Sequence, residues 1–310
     1  MPTAEIAGFN KPLDEKLFSL SVEEKETFRA LTGIEDEQEL KAHILSVQAK
    51  AYAVHAYPCI RYFEFLRMTI SHLPAYEALL DLGRTRADAL FLDVGCCFGN
   101  DARKAILDGY PMHNVLASDL HPEFWDLGHE LFKTSPKSFP VPFFPGDLFD
   151  PAFLAPSPGA SPPSSPSSSS SDTLNSSTST STSTNTSTSL TPFLSRLTAI
   201  HASRLFHLFP AATQRALAHA LGALLAPTPG ALLLGAHVAR ATAGLVDDFA
   251  GGSTAWRMFC HSPDSWAALW DGDVFPRGAV RVEAVLVPLT FRPEGASGEC
   301  MEMRWSVTRL

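Results

Sequence analysis

The stretch FLDVGCCFGNDARKA, residues 91–105, constrains the chain more than any other. A short apolar run containing Asp93 leads into a turn bounded by Gly95 and Gly99, and a helix-forming run follows. The next apolar run, VLASDL (115–120), closes on Asp119. Strand, acidic residue, glycine turn, helix, strand and carboxylate in that order are how an open α/β sheet builds a crevice for a nucleoside-bearing ligand.

The rest of the chain agrees with such a sheet. Beyond ALFLDV (89–94), strands are predicted at 115–120, 141–147 (weakened by Pro142 and Pro145), 196–203 and 231–238. Helices alternate with them: NDARKAILDGY, HPEFWDLGHELFKT with Pro122 in its first turn, AATQRALAHALGALL, and SPDSWAALW capped by Ser262. VRVEAVLVPL and MEMRWSVTRL read as a terminal hairpin around GASGE. Repeated strand–helix alternation predicts a mostly parallel sheet covered on both faces, with one antiparallel strand added by the hairpin. Residues 1–88 read as a helical arm or lid, beginning with a capping box at Ser21 and Glu24. Residues 89–310 form the sheet domain. A Ser/Thr/Pro-rich tract at 155–192 interrupts it, with almost no apolar side chains to offset ordering entropy, and is predicted to be a disordered insertion.

Composition narrows the partners. A net charge of −9 with no basic stripe argues against nucleic acid. The apolar region 216–239 is broken by His219, Pro227, Pro229 and His237, so no membrane span is expected. The N-terminus lacks a secretory pattern, and the 5 cysteines show no metal-site spacing. A reduced, cytoplasmic protein without a structural metal is the resulting expectation.

The turn itself discriminates between cofactors. A dinucleotide turn wants G-x-G-x-x-G so that amides reach a pyrophosphate. Gly95-Cys-Cys-Phe-Gly99 lacks the central glycine and follows Asp93, a carboxylate that would repel phosphate and attract an ammonium. S-adenosylmethionine carries an ammonium and no phosphate. Asp119 is then placed to accept from both ribose hydroxyls, and Asp147, with Leu148 and Phe149, to meet the adenine. Strand-end aspartates also cap helices, but three at successive strand ends with a glycine turn form a pattern.

Six segments in order carry a family resemblance: YPCIRYFEFL (57–66), FLDVGCCFGNDARKAILDGYP (91–111), SDLHPEFWDLGHELF (118–132), PGDLFDP (145–151), IHASRLFHLF (200–209) and HSPDSWAALW (261–270). The chain resembles the class I S-adenosylmethionine-dependent methyltransferases, and within them the fungal enzymes of meroterpenoid and related secondary-metabolite pathways. The resemblance implies a Rossmann-like fold with a seven-stranded sheet. It makes Asp119-Leu120 and Asp147-Leu148 cofactor-binding positions beside Asp93, Gly95 and Gly99. It also implies methylation of a carboxyl or hydroxyl oxygen on a hydrophobic terpenoid or polyketide intermediate, and leaves a homodimer open.

A carboxylate nucleophile needs no base, whereas a phenol or alcohol needs one. His201, predicted to end the fourth strand facing the crevice, is the candidate base, ahead of His207 and His237. Arg61 and Arg67 are candidates to hold a substrate carboxylate, with a salt bridge as the alternative. Tyr57, Tyr62, Phe63 and Phe65 either wall an apolar pocket or belong to the core, and Trp125, Trp266 and Trp270 are expected to be packing residues. Two rivals remain open: a nicotinamide-dependent oxidoreductase, and a non-catalytic protein that binds the cofactor as a regulator or scaffold.

Overall fold

A computed structural model describes residues 11–155, 188–247, 257–289 and 300–310. The glycine turn leaves strand β1 (Phe91–Val94), every residue of which is buried. Beside β1 run, in parallel, β2 (Val115–Asp119) and then β3 (Phe143–Pro145) on one side, and β4 (Ala199–His201) and then β5 (Leu232–Ala239) on the other. The hairpin strands β8 (Val280–Val287) and β9 (Met301–Arg309) complete the sheet, β9 lying antiparallel between β5 and β8. The resulting 7-stranded order is β3-β2-β1-β4-β5-β9-β8, which reverses direction of travel at β1. Ligands of open α/β sheets bind beyond the strands' carboxyl ends at such a reversal. The GASGE link of the hairpin lies outside the described residues.

Two apolar clusters cover the two faces, as strand alternation requires. Leu92, Val94 and Ile200 face helices α7 (Ala211–Leu224) and α8 (Pro263–Trp270). Phe91 and Ala199 face α4 (Tyr76–Thr85), α5 (Asn100–Leu107) and α6 (Pro122–Leu131). Ser262 caps α8 by accepting from the Ser265 N–H, as its position before Pro263 predicts. A small antiparallel pair, β6 (Gly244–Asp247) with β7 (Arg257–Cys260), stands apart from the main sheet and has no counterpart in the sequence-based expectation.

The N-terminal arm holds α1 (Val22–Thr32), α2 (Glu37–Val54) and α3 (Pro58–Arg61). The Ser21–Glu24 capping box forms in full, and Gly33 ends α1 in the left-handed region. The segment 57–70, expected to continue as helix, instead breaks into α3 and two short 3-10 turns, because Phe63 and Met68 adopt positive φ. The low-complexity tract also begins and ends differently from the expectation. Leu190 is fully buried in the core, Thr191–Phe193 forms a turn, and the Ala155 N–H donates to Thr191 Oγ1 at 2.9 Å. Residues 156–187 lie outside the described residues. Among the described residues no helix is long and apolar enough to cross a membrane.

Candidate functional site

The crevice is assembled from backbone first. Gly95 (φ 66°), Cys97 (φ 50°) and Gly99 (φ 70°) turn the chain from β1 into α5. The N–H groups of Gly95 and Cys96 donate to Ser118 O at 2.9 and 3.1 Å, which fastens the turn to the end of β2. Cys97 N–H then donates to Asp119 Oδ2 at 2.8 Å, while Asp119 Oδ1 accepts from His121 N–H at 3.0 Å. Asp119 thereby clasps the glycine turn to the start of α6. Each of its oxygens accepts one N–H, and an ionised carboxylate has about four lone-pair sites, so each keeps capacity for a ligand hydroxyl. Burial pushes the Asp119 carboxyl above its ordinary range, against the lowering effect of those two N–H donors.

The third strand end lies next to this clasp. Gly146 N–H donates to Asp119 O at 3.0 Å, and Asp147 Oδ1 accepts from Phe149 N–H at 2.9 Å. Leu148 and Phe149 pack partly buried against the core, and Leu120, 41% exposed, stands at the lip. On the other side, Leu205 lies so close over Gly95 that an added Cβ would meet its Cδ1 at 3.2 Å. A side chain at residue 95 would press on Leu205 from a left-handed backbone position.

Asp93 departs from expectation. Sequence alone puts its carboxylate against a ligand's ammonium. In the structure it is 2% exposed, with Oδ1 on His201 Nδ1 at 2.8 Å and Oδ2 accepting from Ala102 N–H at 3.1 Å. The cause is strand alternation: Asp93 shares its face with Phe91, toward α5, so it supports the turn from beneath. His201 ends β4 as expected, but it is buried to 1% and its Nε2 meets Ser203 Oγ at 2.6 Å. Ser203 also accepts from Ala236 N–H at 3.1 Å. No sequence pattern flagged Ser203; its only signal is its place just past the end of β4.

The other candidates are engaged elsewhere. His207 sits in a 3-10 turn rather than a helix, and burial with nearby Arg204 pushes its pKa down to about 3. His237 accepts from Trp305 Nε1 at 2.9 Å, and burial keeps it neutral among Phe206, Trp266 and Trp305. Arg67 pairs with Glu24 at 3.0 Å, and Arg61 donates to Pro12 O. Phe63 and Tyr62 belong to the buried core, whereas Tyr57 and Phe65 lie half-buried beside His121 and Phe98. Trp125, Trp266 and Trp270 are buried packing residues, as expected. Cys96 and Cys97 are held as thiols by burial, reinforced for Cys96 by the charge of Asp119. The arm is bound to the crevice directly: Asn100 Nδ2 donates to Phe65 O, Asp101 Oδ1 accepts from Ile70 N–H at 2.9 Å, and Glu64 pairs with Arg204 at 2.6 Å.

Comparison with known proteins finds relatives for part of the chain. Residues 13–66 match a family described as the meroterpenoid methyltransferase N-terminal domain. The chain is 41% identical over 112 residues to the O-methyltransferase atr3 of Stereocaulon alpinum, covering 36% of the chain and 32% of that protein. It is 28% identical over 233 residues to the methyltransferase adrK of Penicillium roqueforti, covering 74% of the chain and 68% of the relative. The matched part thus spans about a third of the length of several of these curated relatives. Among solved structures, the Burkholderia thailandensis 1,6-didemethyltoxoflavin-N1-methyltransferase is similar at a TM-score of 0.45 and 12% identity, covering 89% of this chain and 92% of its own. The chain is similar to fungal secondary-metabolite methyltransferases, and its Rossmann-like fold is read from the strand order itself.

Proposed function

We propose that the chain is an S-adenosylmethionine-dependent O-methyltransferase acting on a carboxyl or hydroxyl group of a hydrophobic small molecule of terpenoid or polyketide type. The observation that carries this reading is the Asp119 clasp. A partly buried carboxylate, fixed by two backbone N–H donors and retaining open lone pairs, suits a vicinal diol such as that of a ribose. The similarity to fungal methyltransferases supports the same cofactor.

Asp119 holds the ribose hydroxyls, and Leu120 and Leu148 flank the base. Asp147, whose Oδ2 is left available by its bond to Phe149 N–H, accepts from the base's amino group. Gly95 and Gly99 let the backbone come close. Asp93 maintains the shape of the turn by holding the first turn of α5. When bound, S-adenosylmethionine supplies an electrophilic methyl group, with the carbon–sulfur electron pair returning to sulfur. The protein's contribution is alignment of the acceptor oxygen, which can be worth roughly 7–11 kcal/mol in well-oriented systems. A cytoplasmic setting and a homodimer belong to the same proposal.

Calorimetry with S-adenosylmethionine and its demethylated product tests it. Micromolar binding is expected, and Asp119→Ala should weaken it at least about tenfold, the equivalent of one charge-assisted hydrogen bond. Tight binding of NADH with none of S-adenosylmethionine overturns the reading. Methyl incorporation into a panel of carboxylic acids and phenols, read by mass spectrometry, separates an enzyme from a non-catalytic binder.

A further inference from the structure

We propose that Ser203, His201 and Asp93 form a proton relay that deprotonates a hydroxyl acceptor, with Ser203 as the catalytic group that touches the acceptor oxygen. This rests on the methyltransferase reading and deepens it, since it selects a phenol or alcohol over a carboxylate.

The relay follows from the sheet. β1 and β4 are parallel neighbours with Asp93 opposite His201 in register, so the two side chains emerge side by side on the α5 face. Asp93 Oδ1 to His201 Nδ1 is 2.8 Å, and His201 Nε2 to Ser203 Oγ is 2.6 Å. A carboxylate only accepts, so Nδ1 carries the proton. In the neutral ring Nε2 is then an acceptor, and the Ser203 hydroxyl donates to it. Ala236 N–H fills one lone pair of Ser203 Oγ at 3.1 Å, and the second is left for another donor. Asp93 and His201 are buried, whereas Ser203 is half-buried, so the chain of bonds runs from the interior outward. It emerges just past the carboxyl end of β4, beside the point where strand order reverses. Burial alone calls for a donor to Nε2, which Ser203 supplies; its remaining lone pair at the half-buried end adds an outlet toward an acceptor. A carboxylate acceptor, ionised at neutral pH, has no need of the relay.

The protons balance as follows. The acceptor oxygen bonds to the methyl carbon while its own O–H bond breaks, and that proton passes to Ser203 Oγ. Ser203's original proton moves to His201 Nε2, and Asp93 holds the imidazolium. After the product leaves, the proton returns through Ser203 to water. The charged groups facing His201 are Asp93 from β1 and Asp101 from α5, with Arg204 following β4 and paired to Glu64 of the arm. Burial opposes the imidazolium, but the bond and charge of Asp93, with the charge of Asp101, raise its pKa above 6.5. Turnover of a hydroxyl acceptor should therefore rise with pH through that raised value.

Nitrogen-15 imidazole shifts of the full chain with S-adenosylhomocysteine provide a readout independent of activity. On the high-pH side of its titration His201 should be neutral with the proton on Nδ1, and Ser203→Ala should move the Nε2 resonance. A proton on Nε2, or a persistent imidazolium, overturns the relay. In turnover with a hydrophobic phenol, Ser203→Ala should lower kcat about 100-fold with little change in KM, and Ser203→Thr should restore it. Unchanged kcat in Ser203→Ala also overturns the relay. Calorimetry on the same samples keeps the two readings apart: absence of S-adenosylmethionine binding by the wild type overturns the methyltransferase reading itself, and binding with the wrong tautomer overturns the relay alone.

Discussion

Replacing Gly99 by Ala should damage the protein far more than the same change at Gly95, although both glycines bound one turn and share one backbone region. At φ 70° and ψ 33°, an alanine at residue 99 must adopt the left-handed conformation, at a cost of about 1–2 kcal/mol. Its Cβ would also lie 2.6 Å from Trp125 Cζ3. That indole has little room to retreat. It stacks on Phe143 at 4.9 Å and 7°, lies near the Arg103 guanidinium, and is 6% exposed. Overpacking against such a ring adds about 1–3 kcal/mol, for a total of about 2–5. At Gly95 the conformational cost is similar, but the nearest atom is the tip of half-buried Leu205 at 3.2 Å, which can rotate away. Gly95→Ala should cost only about 1–2 kcal/mol of stability. Urea denaturation of both variants measures the difference. Trp125→Leu, made alone and with Gly99→Ala, should show a favourable coupling of about 1–3 kcal/mol, because the smaller side chain removes the clash. Equal losses at the two glycines, or strict additivity with Trp125→Leu, would refute the steric account of the turn.

Two further outcomes follow from buried contacts. Because the folded pKa of His201 is raised, its contribution to stability is complete below the unfolded value of about 6.5 and disappears as pH rises through the folded value. The stability gap between wild type and His201→Gln, from urea titrations across that window, should shrink with increasing pH; a widening gap contradicts it. Deletion of residues 157–187 should leave S-adenosylmethionine affinity unchanged by calorimetry, since Leu190 N–H to Phe153 O at 2.9 Å and the Ala155–Thr191 contact tie the flanks together. A large loss would give the tract a role in the crevice.

Features governed by local chemistry were legible in the sequence. The capping box at Ser21, the cap at Ser262, the end of α1 at Gly33 and the strand–helix alternation all depend on residues a few positions apart. What escaped depends on partners distant in sequence. Positive φ at Phe63 and Met68 has no signature in residue type and accompanies burial of both side chains in the cluster with Phe98, Phe124 and Phe132. The inward aim of Asp93 was available in principle, since it alternates with Leu92 and Val94, yet in a fully apolar strand both faces look alike. Leu190 was hidden because one leucine in a Ser/Thr tract carries no periodicity. Ser203 became visible only once β1 and β4 were paired.

The same long-range contacts set what it would cost to move the N-terminal arm. Phe28, Ile44, Phe63 and Leu66 of the arm share one buried cluster with Phe98, Phe124 and Phe132 of the sheet domain. Phe28 stacks on Phe132 at 5.6 Å, and His43 Nε2 meets Leu131 O at 2.9 Å. Swinging the arm away as a body would expose this cluster, and re-exposing two phenylalanines alone costs about 3–6 kcal/mol. It would also separate the buried Glu64 of the arm from Arg204 and leave that arginine with Glu302 at 3.4 Å. At 1.4 kcal/mol per factor of ten, an open state this costly is populated at below about one per cent. The described part of the arm is therefore packed as one piece with the sheet domain, and Phe65 O and Ile70 N–H bond to Asn100 and Asp101 at the start of α5. A substitution in the arm that weakens these contacts would reach the crevice by loosening the turn, without moving a gate.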